Sequence, residues 1–293
     1  MSGVCGAGGS FPSTVIDLHT HSTVSDGSDP PGRVAELAQM NGCSAFALTD
    51  HDRMDGLDEA GKRAAEVGVE LVPGCEISCE VPKGTMHMLI YFVEPGGRLE
   101  AELVRLQDAR DTRNARMLQR LSEELGLPIT AEEVEAEAGG KGVGRPHVAA
   151  VLLRKGVVSS IQEAFDRFLA KGQPGYVDKE RLYPEQAIKL ARESNAVAVL
   201  AHPLSLGLEP GELDRAVSEL AELGLAGAEA IYGRYTPEER RGVADLARRH
   251  GLVVTGGSDH HGTYKPDLQV GIGKGDLDVP DSVLEELAAR RGA

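Results

Sequence analysis

Seven short apolar runs, separated by amphipathic stretches, constrain the fold of this chain more than any other feature. The runs predict strands at 15–18, 45–48, 70–76, 86–92, 196–201, 226–231 and 252–255. Stretches with helical periodicity lie between most of them, at 31–40, 57–67, 184–194, 212–223, 236–250 and 281–290. This alternation is typical of an α/β fold with a mainly parallel sheet or barrel. Between the third and fourth runs, the turn signal Pro82-Lys83-Gly84 predicts a β-hairpin.

The interval 97–182 has no strand pattern and is predicted to be helical. Leucines recur in it at helical spacing, at Leu99, Leu103, Leu106, Leu118, Leu121 and Leu125, which predicts a packed core. A chain of 293 residues suits one large domain with an insertion. We therefore expect a disordered tail at 1–14, a barrel formed by 15–96 and 183–293, and a helical insertion at 97–182 that acts as a substrate lid.

The charge and composition exclude several classes of function. A formal net charge of −15 opposes broad attraction to nucleic acid or to anionic membranes, so we expect no stable nucleic-acid complex. No apolar stretch approaches the roughly 18 residues that span a bilayer, and the Gly-rich start lacks the pattern of a signal peptide. Four cysteines in 293 residues do not form a disulfide framework. A cytoplasmic protein is the expectation, and the oligomeric state is left open.

Histidines and acids gather where the predicted strands end. His19 and His21 follow the first run, and side chains two apart on an extended strand point to the same side. Asp259 and His261 repeat this spacing after the last run. The remaining candidates at strand ends or in adjoining loops are Asp26, His51, Glu76, His87 and His202. Because the ends of parallel strands share one face, these side chains are predicted to converge, with the hairpin returning His87 beside Glu76.

Each of these residues alone has an ordinary structural explanation. Asp26 could form a turn or cap a helix, and His51, His87 and His202 could be buried, hydrogen-bonded histidines. Their joint placement favours metal binding, because buried imidazoles and charges without partners are costly. Asp50 and Asp52, which flank His51, either orient ligands or have a capping or core role. His250 and His260 are left out of the predicted site.

Taken together, the motifs resemble those of the PHP superfamily, named for its polymerase and histidinol phosphatase members. The motifs that carry the resemblance extend across nearly the whole chain: Asp17-Leu-His-Thr-His-Ser22, Ser25-Asp-Gly27, Leu48-Thr-Asp-His-Asp52, Pro73-Gly-Cys-Glu-Ile-Ser78, His87, Ala201-His-Pro203 and Ser258-Asp-His-His261. The resemblance implies a distorted (β/α)7 TIM-like barrel with a helical insertion. It also implies two to three divalent metal ions.

The resemblance further implies which side chains hold each ion. His19, His21, Glu76 and Asp259 would bind the first, Glu76, His87 and His202 the second, and Asp26, His51 and His261 the third. Of these, His19, His21, Glu76, His202 and Asp259 are the predicted catalytic residues. Mixed nitrogen and oxygen ligands suit Mn, Fe or Zn alike. Such ions would attract a phosphate dianion and activate a hydroxide that attacks phosphorus.

Within the superfamily, the chain is most similar to a stand-alone bacterial subfamily with a helical insertion. That similarity rests on Gly144-Arg-Pro-His-Val148 and Phe168-Leu-Ala-Lys-Gly-Gln-Pro-Gly-Tyr176. Members of the subfamily remove the 3′-phosphate of nucleoside 3′,5′-bisphosphates, degrade short RNA from its 5′ end, or open small cyclic phosphodiesters. The resemblance implies a phosphoesterase whose partner is a small phosphorylated substrate, either a nucleotide or a short RNA.

Four further residues are predicted to bind the substrate. Arg145 and His147 stand at the start of a helix beside a Gly-rich loop, a setting that suits phosphate. Lys171 and Arg234 are candidates for a second phosphate. The alternatives are a capping loop for the first pair and ordinary solvated charges for the second.

Other functions remain open at the level of sequence. A cyclic phosphodiesterase and a phosphatase of the histidinol phosphate type share the metal motifs. An amidohydrolase that cleaves C–N bonds shares the barrel and the His-x-His motif, although it usually has a bridging lysine at the position of Glu76. A noncatalytic metal-binding module would be expected to lack ligands, and all nine positions are filled.

Overall fold

The computed structural model describes residues 15–138, 143–178 and 180–292. The segment 1–14, for which a disordered tail is predicted, lies outside the described residues. Seven strands form one sheet: β1 (Val15–Thr20), β2 (Cys43–Leu48), β3 (Glu70–Cys79), β4 (Met86–Tyr91), β5 (Val197–Leu200), β6 (Gly227–Tyr232) and β7 (Val253–Gly257). All seven predicted strands are therefore confirmed, with ends that differ by a few residues.

The strands follow one another around the sheet in chain order, from β1 to β7. All neighbouring pairs are parallel except those that involve β4, which runs antiparallel to both β3 and β5. The predicted hairpin is thus present, and Ser78 lies opposite His87 across it. Because β4 runs antiparallel to β3, its start, with His87, lies beside the carboxyl end of β3.

The sheet nearly closes into a barrel, because the segment after β7 pairs with β1. The amide of His21 donates to the carbonyl of His260 (3.0 Å), and the amide of Asp259 donates to the carbonyl of His19 (2.8 Å). A Cβ at Gly257 would lie 2.4 Å from the Cβ of His19, so only glycine allows β7 to approach β1 this closely. Two predicted ligand positions are therefore bonded together through their backbones.

Ten α-helices occur in the described ranges, and six of them surround the barrel. These six are α1 (Pro31–Met40), α2 (Leu57–Val67), α7 (Pro184–Glu193), α8 (Pro210–Glu222), α9 (Pro237–Arg249) and α10 (Ser282–Ala288). Four begin at a proline, whose fixed φ suits the first turn and which has no N–H to leave unpaired. The α9 helix also has a capping box, in which Thr236 and Glu239 bond each other's backbone amides.

Alternate strand residues enter two different hydrophobic clusters. Phe46 and Leu48 of β2 pack with residues of the surrounding helices, such as Val34 of α1. Ala45 and Ala47 of the same strand join the cluster on the opposite face, which is the barrel interior. This alternation follows from the two-residue period of a strand buried on both faces, and it confirms the α/β barrel that the sequence predicts.

In the described part of the chain between β4 and β5, the regular elements are helices, joined by turns and irregular segments. It contains α3 (Arg98–Gln119), α4 (Ala131–Ala138), α5 (Arg145–Arg154) and α6 (Ile161–Ala164), together with π-helical turns at Arg120–Glu124 and Phe165–Leu169, before α7. Leu103 at the start of α3 belongs to the barrel cluster, whereas Leu121 and Leu152 belong to a separate core. The separate core is consistent with an insertion, but the division at 97 and 182 stays a prediction.

One leucine of the predicted stripe is not in the core. Leu125 is 37% exposed, because the π-helical turn at Arg120–Glu124 changes the helical repeat immediately before it. In the part of the chain that the structure describes, no helix has both the length and the apolar character that crossing a bilayer requires.

Candidate metal centre

The carboxyl end of the barrel gathers all nine predicted metal ligands in one cluster. Three overlapping groups have one ligand atom per residue within 4.8 Å of one another: His21, Asp26, His51 and His261; His19, His21 and Glu76; and His51, Glu76 and His87. His202 joins through Glu76 (Nε2 to Oε1, 3.2 Å), and Asp259 joins through His21 (Oδ1 to Nε2, 3.4 Å). Metal ligation by these side chains remains a prediction.

Glu76 lies at the centre of the cluster and is 1% exposed. Its Oε2 faces Nε2 of His19 (3.1 Å), Nε2 of His21 (3.1 Å) and Nδ1 of His51 (3.3 Å). Its Oε1 faces Nδ1 of His87 (2.8 Å) and Nε2 of His202 (3.2 Å). The loop after β2 continues to pair with β3 here, since the amide of Asp52 donates to the Glu76 carbonyl (2.8 Å). One carboxylate therefore faces imidazoles from β1, β2, β4 and β5.

Hydrogen bonds at the outer nitrogens fix the tautomers of three of these histidines. Nδ1 of His19 is 2.9 Å from a carboxylate oxygen of Glu229, and Nδ1 of His261 is 2.8 Å from the carbonyl of Asp259. Both oxygens can only accept, so each Nδ1 carries a proton. Nδ1 of His202 bonds Oγ of Ser205 (2.9 Å), whose own proton goes to a carbonyl oxygen. In the neutral form of each ring, the remaining Nε2 presents a lone pair to the cluster.

These lone pairs face carboxylate oxygens, so the arrangement fits a cation. Nε2 of His19 points to Oε2 of Glu76, and Nε2 of His261 points to Oδ1 of Asp26 (3.2 Å). Nδ1 of His51 is buried and has no hydrogen-bond partner in the described chain. An imidazole lone pair and a carboxylate oxygen are both hydrogen-bond acceptors. At such distances they are stabilised by a shared divalent ion or by an added proton.

The pKa shifts of His21 and Glu76 indicate that the cluster favours positive charge. Burial lowers the pKa of His21, but Asp259 and Glu76 outweigh it and raise that pKa to about 9. Burial favours the neutral form of Glu76, yet the surrounding His51, His19 and His87 hold its pKa well below the usual range. The cluster thus retains charged carboxylates in a buried place, which is the condition for binding metal cations.

Tyr232 and Lys265 hold Asp259 in place from the side away from the histidines. The Tyr232 hydroxyl donates to Oδ2 of Asp259 (2.7 Å), and Nζ of Lys265 lies 2.6 Å from the same oxygen. Burial, followed by the charge of Asp259, raises the pKa of Tyr232, so its hydroxyl stays a donor. The free Oδ1 of Asp259 is thereby directed at His19, His21 and the rest of the cluster.

The Asp50 and Asp52 carboxylates hold the loops that carry predicted ligands. The Asp50 carboxylate accepts from the amide and hydroxyl of Ser22 (2.8 and 2.7 Å) and from the hydroxyl of Ser25 (2.6 Å), next to Asp26. The Asp52 carboxylate accepts from the amide of Ser78 (2.9 Å). Of the two roles left open by the sequence, orientation of the ligand loops fits these contacts.

Glu229 is a buried acid that the sequence analysis did not identify. It lies in β6, is 0% exposed, and uses its two oxygens to hold Nδ1 of His19 and the backbone amide of His202 (2.8 Å). His202 has a φ of 27°, a strained value for a residue with a side chain. The available signal was a lone acid inside an apolar strand, since burying a carboxylate requires partners.

Two cavities open over the cluster. The first, of about 500 Å³, is lined by Asp26, His202, Tyr232, Lys265 and other cluster residues. The second, of about 590 Å³, shares Asp26, His51 and His87 with the first and extends to Gln107, Arg110 and His147. The cluster of predicted metal ligands therefore borders a cavity that reaches the helices between β4 and β5.

The predicted substrate-binding residues are spread over the structure. His147 lines the second cavity. Arg145 donates to the carbonyl of Leu169 (3.0 Å) and lies over the rings of Phe165 and Tyr176.

Lys171 and Arg234 are not among the residues that line the two cavities. Lys171 lines a different cavity together with Glu80 and Arg181, and Arg234 pairs with Asp267 (3.3 Å) at the surface. His250 and His260, which were left out of the predicted site, bond Asp214 and Asp29.

Comparison with known proteins places this arrangement in context. The family model described as the PHP domain matches residues 17–106. The chain is 32% identical over 249 residues to the 5′-3′ exoribonuclease Rnm of Escherichia coli, covering 84% of this chain and 85% of the relative.

Two further relatives carry different names. The 3′,5′-nucleoside bisphosphate phosphatase of Chromobacterium violaceum is 29% identical over 284 residues, with 94% of this chain and 97% of the relative covered. The phosphoribosyl 1,2-cyclic phosphate 1,2-diphosphodiesterase of Eggerthella lenta is 33% identical over 259 residues, with 85% and 95% covered. All three names describe cleavage of a phosphate ester.

Proposed function

The chain belongs to the PHP family and is a metal-dependent phosphoesterase, and from that premise we propose that it removes the 3′-phosphate of nucleoside 3′,5′-bisphosphates. Short RNA with a phosphorylated 5′ end is a second substrate of the same class. The observation that carries the proposal is the second cavity, of about 590 Å³, which is lined by Asp26, His51 and His87 of the ligand cluster and also by His147.

The nine clustered side chains are assigned as ligands of two to three divalent ions, Mn, Fe or Zn. His19, His21, Glu76 and Asp259 would hold the first ion, Glu76, His87 and His202 the second, and Asp26, His51 and His261 the third. When bound, such ions supply positive charge to the phosphate oxygens and make a water molecule acidic enough to act as nucleophile near neutral pH.

The chain's own residues give that centre its geometry. Glu229 fixes the ring of His19 and the backbone of His202, so both imidazoles present Nε2 to the reaction. Tyr232 and Lys265 leave one oxygen of Asp259 free for the cluster. Lys265 also lines the first cavity, where its ammonium group adds a positive charge beside the bound phosphate.

The second cavity favours a substrate with a nucleoside and another phosphate over a small monoester. The relatives from Escherichia coli and Chromobacterium violaceum have names that refer to RNA and to nucleoside bisphosphates, and both kinds of substrate extend beyond the scissile phosphate. The Eggerthella lenta relative keeps a small cyclic phosphodiester as the second candidate substrate.

The test is phosphate release by the Mn-loaded protein. The panel contains adenosine 3′,5′-bisphosphate, AMP, a cyclic ribose phosphate and histidinol phosphate, with an amide and a carboxylic ester as controls. We expect inorganic phosphate and AMP from the bisphosphate, with a kcat/KM at least roughly tenfold above that for the other phosphates. Preferential opening of the cyclic phosphate would replace the proposal with the second candidate, and inactivity towards every phosphate would refute both.

A further inference from the structure

Asp26 differs from the other eight predicted metal ligands in how the chain holds it. Its side chain is 52% exposed, whereas that of His51, the next most exposed of the nine, is 23% exposed. Asp26 lies six residues beyond the end of β1, in a loop formed by residues 22–29 that is named here the Asp26 loop. The other ligands lie in a strand or within four residues of a strand end. The position of Asp26 therefore depends on what holds its loop.

The two halves of the Asp26 loop are held by different partners. The first half is fixed by the carboxylate of Asp50, which accepts from Ser22 and Ser25. The amide of Thr23 donates to the carbonyl of Asp29 (2.9 Å) and so joins the two halves. The second half, which follows the ligand, has its own contacts with the body of the protein.

The second half of the Asp26 loop packs against the segment that follows β7. The amide of Ser28 donates to the carbonyl of His261 (3.2 Å), and Oγ of Ser28 accepts from the amide of Thr263 (2.8 Å). A Cβ at Gly262 would collide with that Oγ, and Gly262 has a φ of 62°, so only glycine allows this approach. The loop that carries Asp26 thus directly contacts the turn that carries His261.

A bond between two side chains joins the same two segments. Nε2 of His260 lies 3.0 Å from Oδ2 of Asp29, a contact named here the Asp29–His260 latch. His260 is 6% exposed, and its Nδ1 bonds the carbonyl of Leu268 (2.9 Å). Its backbone carbonyl accepts from the amide of His21 (3.0 Å). Because both the ring and the backbone of His260 are held, it gives Asp29 a fixed partner.

The latch lies three residues from Asp26 and determines what that carboxylate faces. Oδ1 of Asp26 lies 3.2 Å from Nε2 of His261 and 3.6 Å from Nδ1 of His21. Its Oδ2 lies 3.8 Å from Nε2 of His51. Since Asp26 is half exposed, it can turn to solvent when its loop moves, whereas ligands on the strands are fixed by the sheet.

We infer that Asp29 and His260 are positioning residues for the third divalent ion. The latch keeps Asp26 against His261, and it thereby raises the affinity of the site formed by Asp26, His51 and His261 without contacting the ion. The first and second ions do not depend on it, because their ligands lie on the strands or directly after them. This inference rests on the proposed function, and it separates the affinity for one ion from the affinity for the other two.

The latch can be tested by metal binding, without hydrolysis. The full chain is freed of metal with a chelator and titrated with Mn²⁺, and the free ion is measured by its EPR signal, so that each binding step has its own Kd. Asp29 is the residue to change, because His260 adjoins the predicted ligand Asp259. Asp29→Ala removes the latch, Asp29→Asn keeps a group that can bond His260, and Asp26→Asn identifies the step that belongs to the third ion.

The matched control is Asp214→Ala. Asp214 bonds Nε2 of His250 (3.3 Å) and pairs with Arg249 (2.8 Å), so this variant removes the same kind of contact between α8 and α9. Neither Asp214 nor His250 lines the two cavities over the cluster. Each Mn²⁺ step of the control should stay within about twofold of the wild type, since a surface pair contributes little. Thermal melting of the metal-free proteins identifies any variant that misfolds.

We expect Asp29→Ala to raise the Kd of one Mn²⁺ step, the one that Asp26→Asn also weakens, by roughly 10- to 100-fold, as for other groups that orient a metal ligand. The remaining steps should stay within about twofold of the wild type, because independent sites do not couple. Asp29→Asn should stay within about threefold, since its amide can donate to the imidazole. Combining Asp29→Ala with Asp26→Asn should add no further loss, because the latch acts through Asp26.

Three results would overturn the latch: a wild type in which no Mn²⁺ step depends on Asp26, a folded Asp29→Ala variant that binds every ion as the wild type does, or one that weakens all steps equally. A failed proposed function gives a different pattern, in which one Mn²⁺ step depends on Asp29 but the Mn-loaded wild type releases no phosphate from the bisphosphate. The two failures are therefore distinguishable.

Discussion

The cluster of predicted metal ligands and the arginines Arg110 and Arg113 of α3 are neighbouring regions that need partners of opposite charge. At the barrel end, three carboxylates and six imidazoles converge and direct acceptors at one another. On α3, the Nε atoms of Arg110 and Arg113 are buried and have no hydrogen-bond partner among the described residues. The first region is built on strands whose backbones pair directly, whereas the second is built on helices with a core of their own. The first region therefore offers electron-pair donors, which suit cations, and the second offers N–H donors, which suit anions.

Replacing the Glu76 carboxylate should have the largest effect, because it changes the metal-binding region directly. Glu76→Gln removes the anion that five imidazoles face. We expect the kcat of the Mn-loaded protein to fall by at least about 1000-fold, because several kcal/mol of charge stabilisation depend on the ions. Elemental analysis should show fewer metal ions per chain. Glu70→Gln, at the exposed start of the same strand, is the control, and equal metal content in both variants would contradict the assignment.

The independence of the helical core can be tested with Leu152→Ala. Leu152 is fully buried in the separate core between β4 and β5, so truncation should lower the free energy of unfolding by about 2–5 kcal/mol. Chemical denaturation measures this change, and Leu153→Ala, at a 37% exposed neighbour, should cost under about 1 kcal/mol. Metal content should not change. Loss of metal in the Leu152 variant would show that the two regions fold as one unit.

Glu229→Gln tests the orientation of the imidazoles with a smaller expected effect. The amide can still bond His19 but no longer favours the tautomer that presents Nε2 to the cluster. Metal affinity should fall by roughly 10- to 100-fold, as for other partners of metal-bound histidines, and competition with a fluorescent chelator measures it. Glu222→Gln on the exposed side of α8 is the matched control. A purely structural role would lower the melting temperature of the metal-free protein and leave the metal affinity intact.

The smallest effect is expected for an arginine of α3 that already has its counterions. Arg105 pairs with Glu102 and Glu180 (both 2.7 Å) and is about half exposed. Arg105→Met should change the free energy of unfolding by under about 1 kcal/mol and leave AMP binding within about twofold of the wild type. A larger loss of stability or of AMP binding would contradict the assignment of Arg105 to a solvated surface ion pair.

The strands and the predicted ligands could be inferred from sequence because their signals are local. Apolar runs identify strands, and the end of each run marks the face where His19, His51 and His202 meet. The hairpin turn at Pro82-Lys83-Gly84 was enough to return His87 to Glu76.

The arginines of α3 have no comparable local signal in the sequence. Arg105, Arg110, Arg113 and Arg116 all lie on one charged helix, and sequence does not distinguish the buried one from the solvated ones. The prediction of Lys171 and Arg234 rests on nearby glycines and aromatics, and neither residue is among those that line the two cavities. Glu229 could not be identified from the sequence, because that requires knowing which strand faces the histidines.

The reversed direction of β4 determines where the chain must go next. Because Tyr91 at the end of β4 lies opposite Val197 at the start of β5, the chain leaves the barrel at the end remote from the metal cluster. The 22 residues of α3, about 33 Å at 1.5 Å per residue, then carry it back, so that Arg110 meets Asp52 at the opposite rim. Adding or removing one helical turn would move the arginines by about 5.4 Å relative to Glu76. Helix length and accepted substrate length should therefore change together among relatives with this topology.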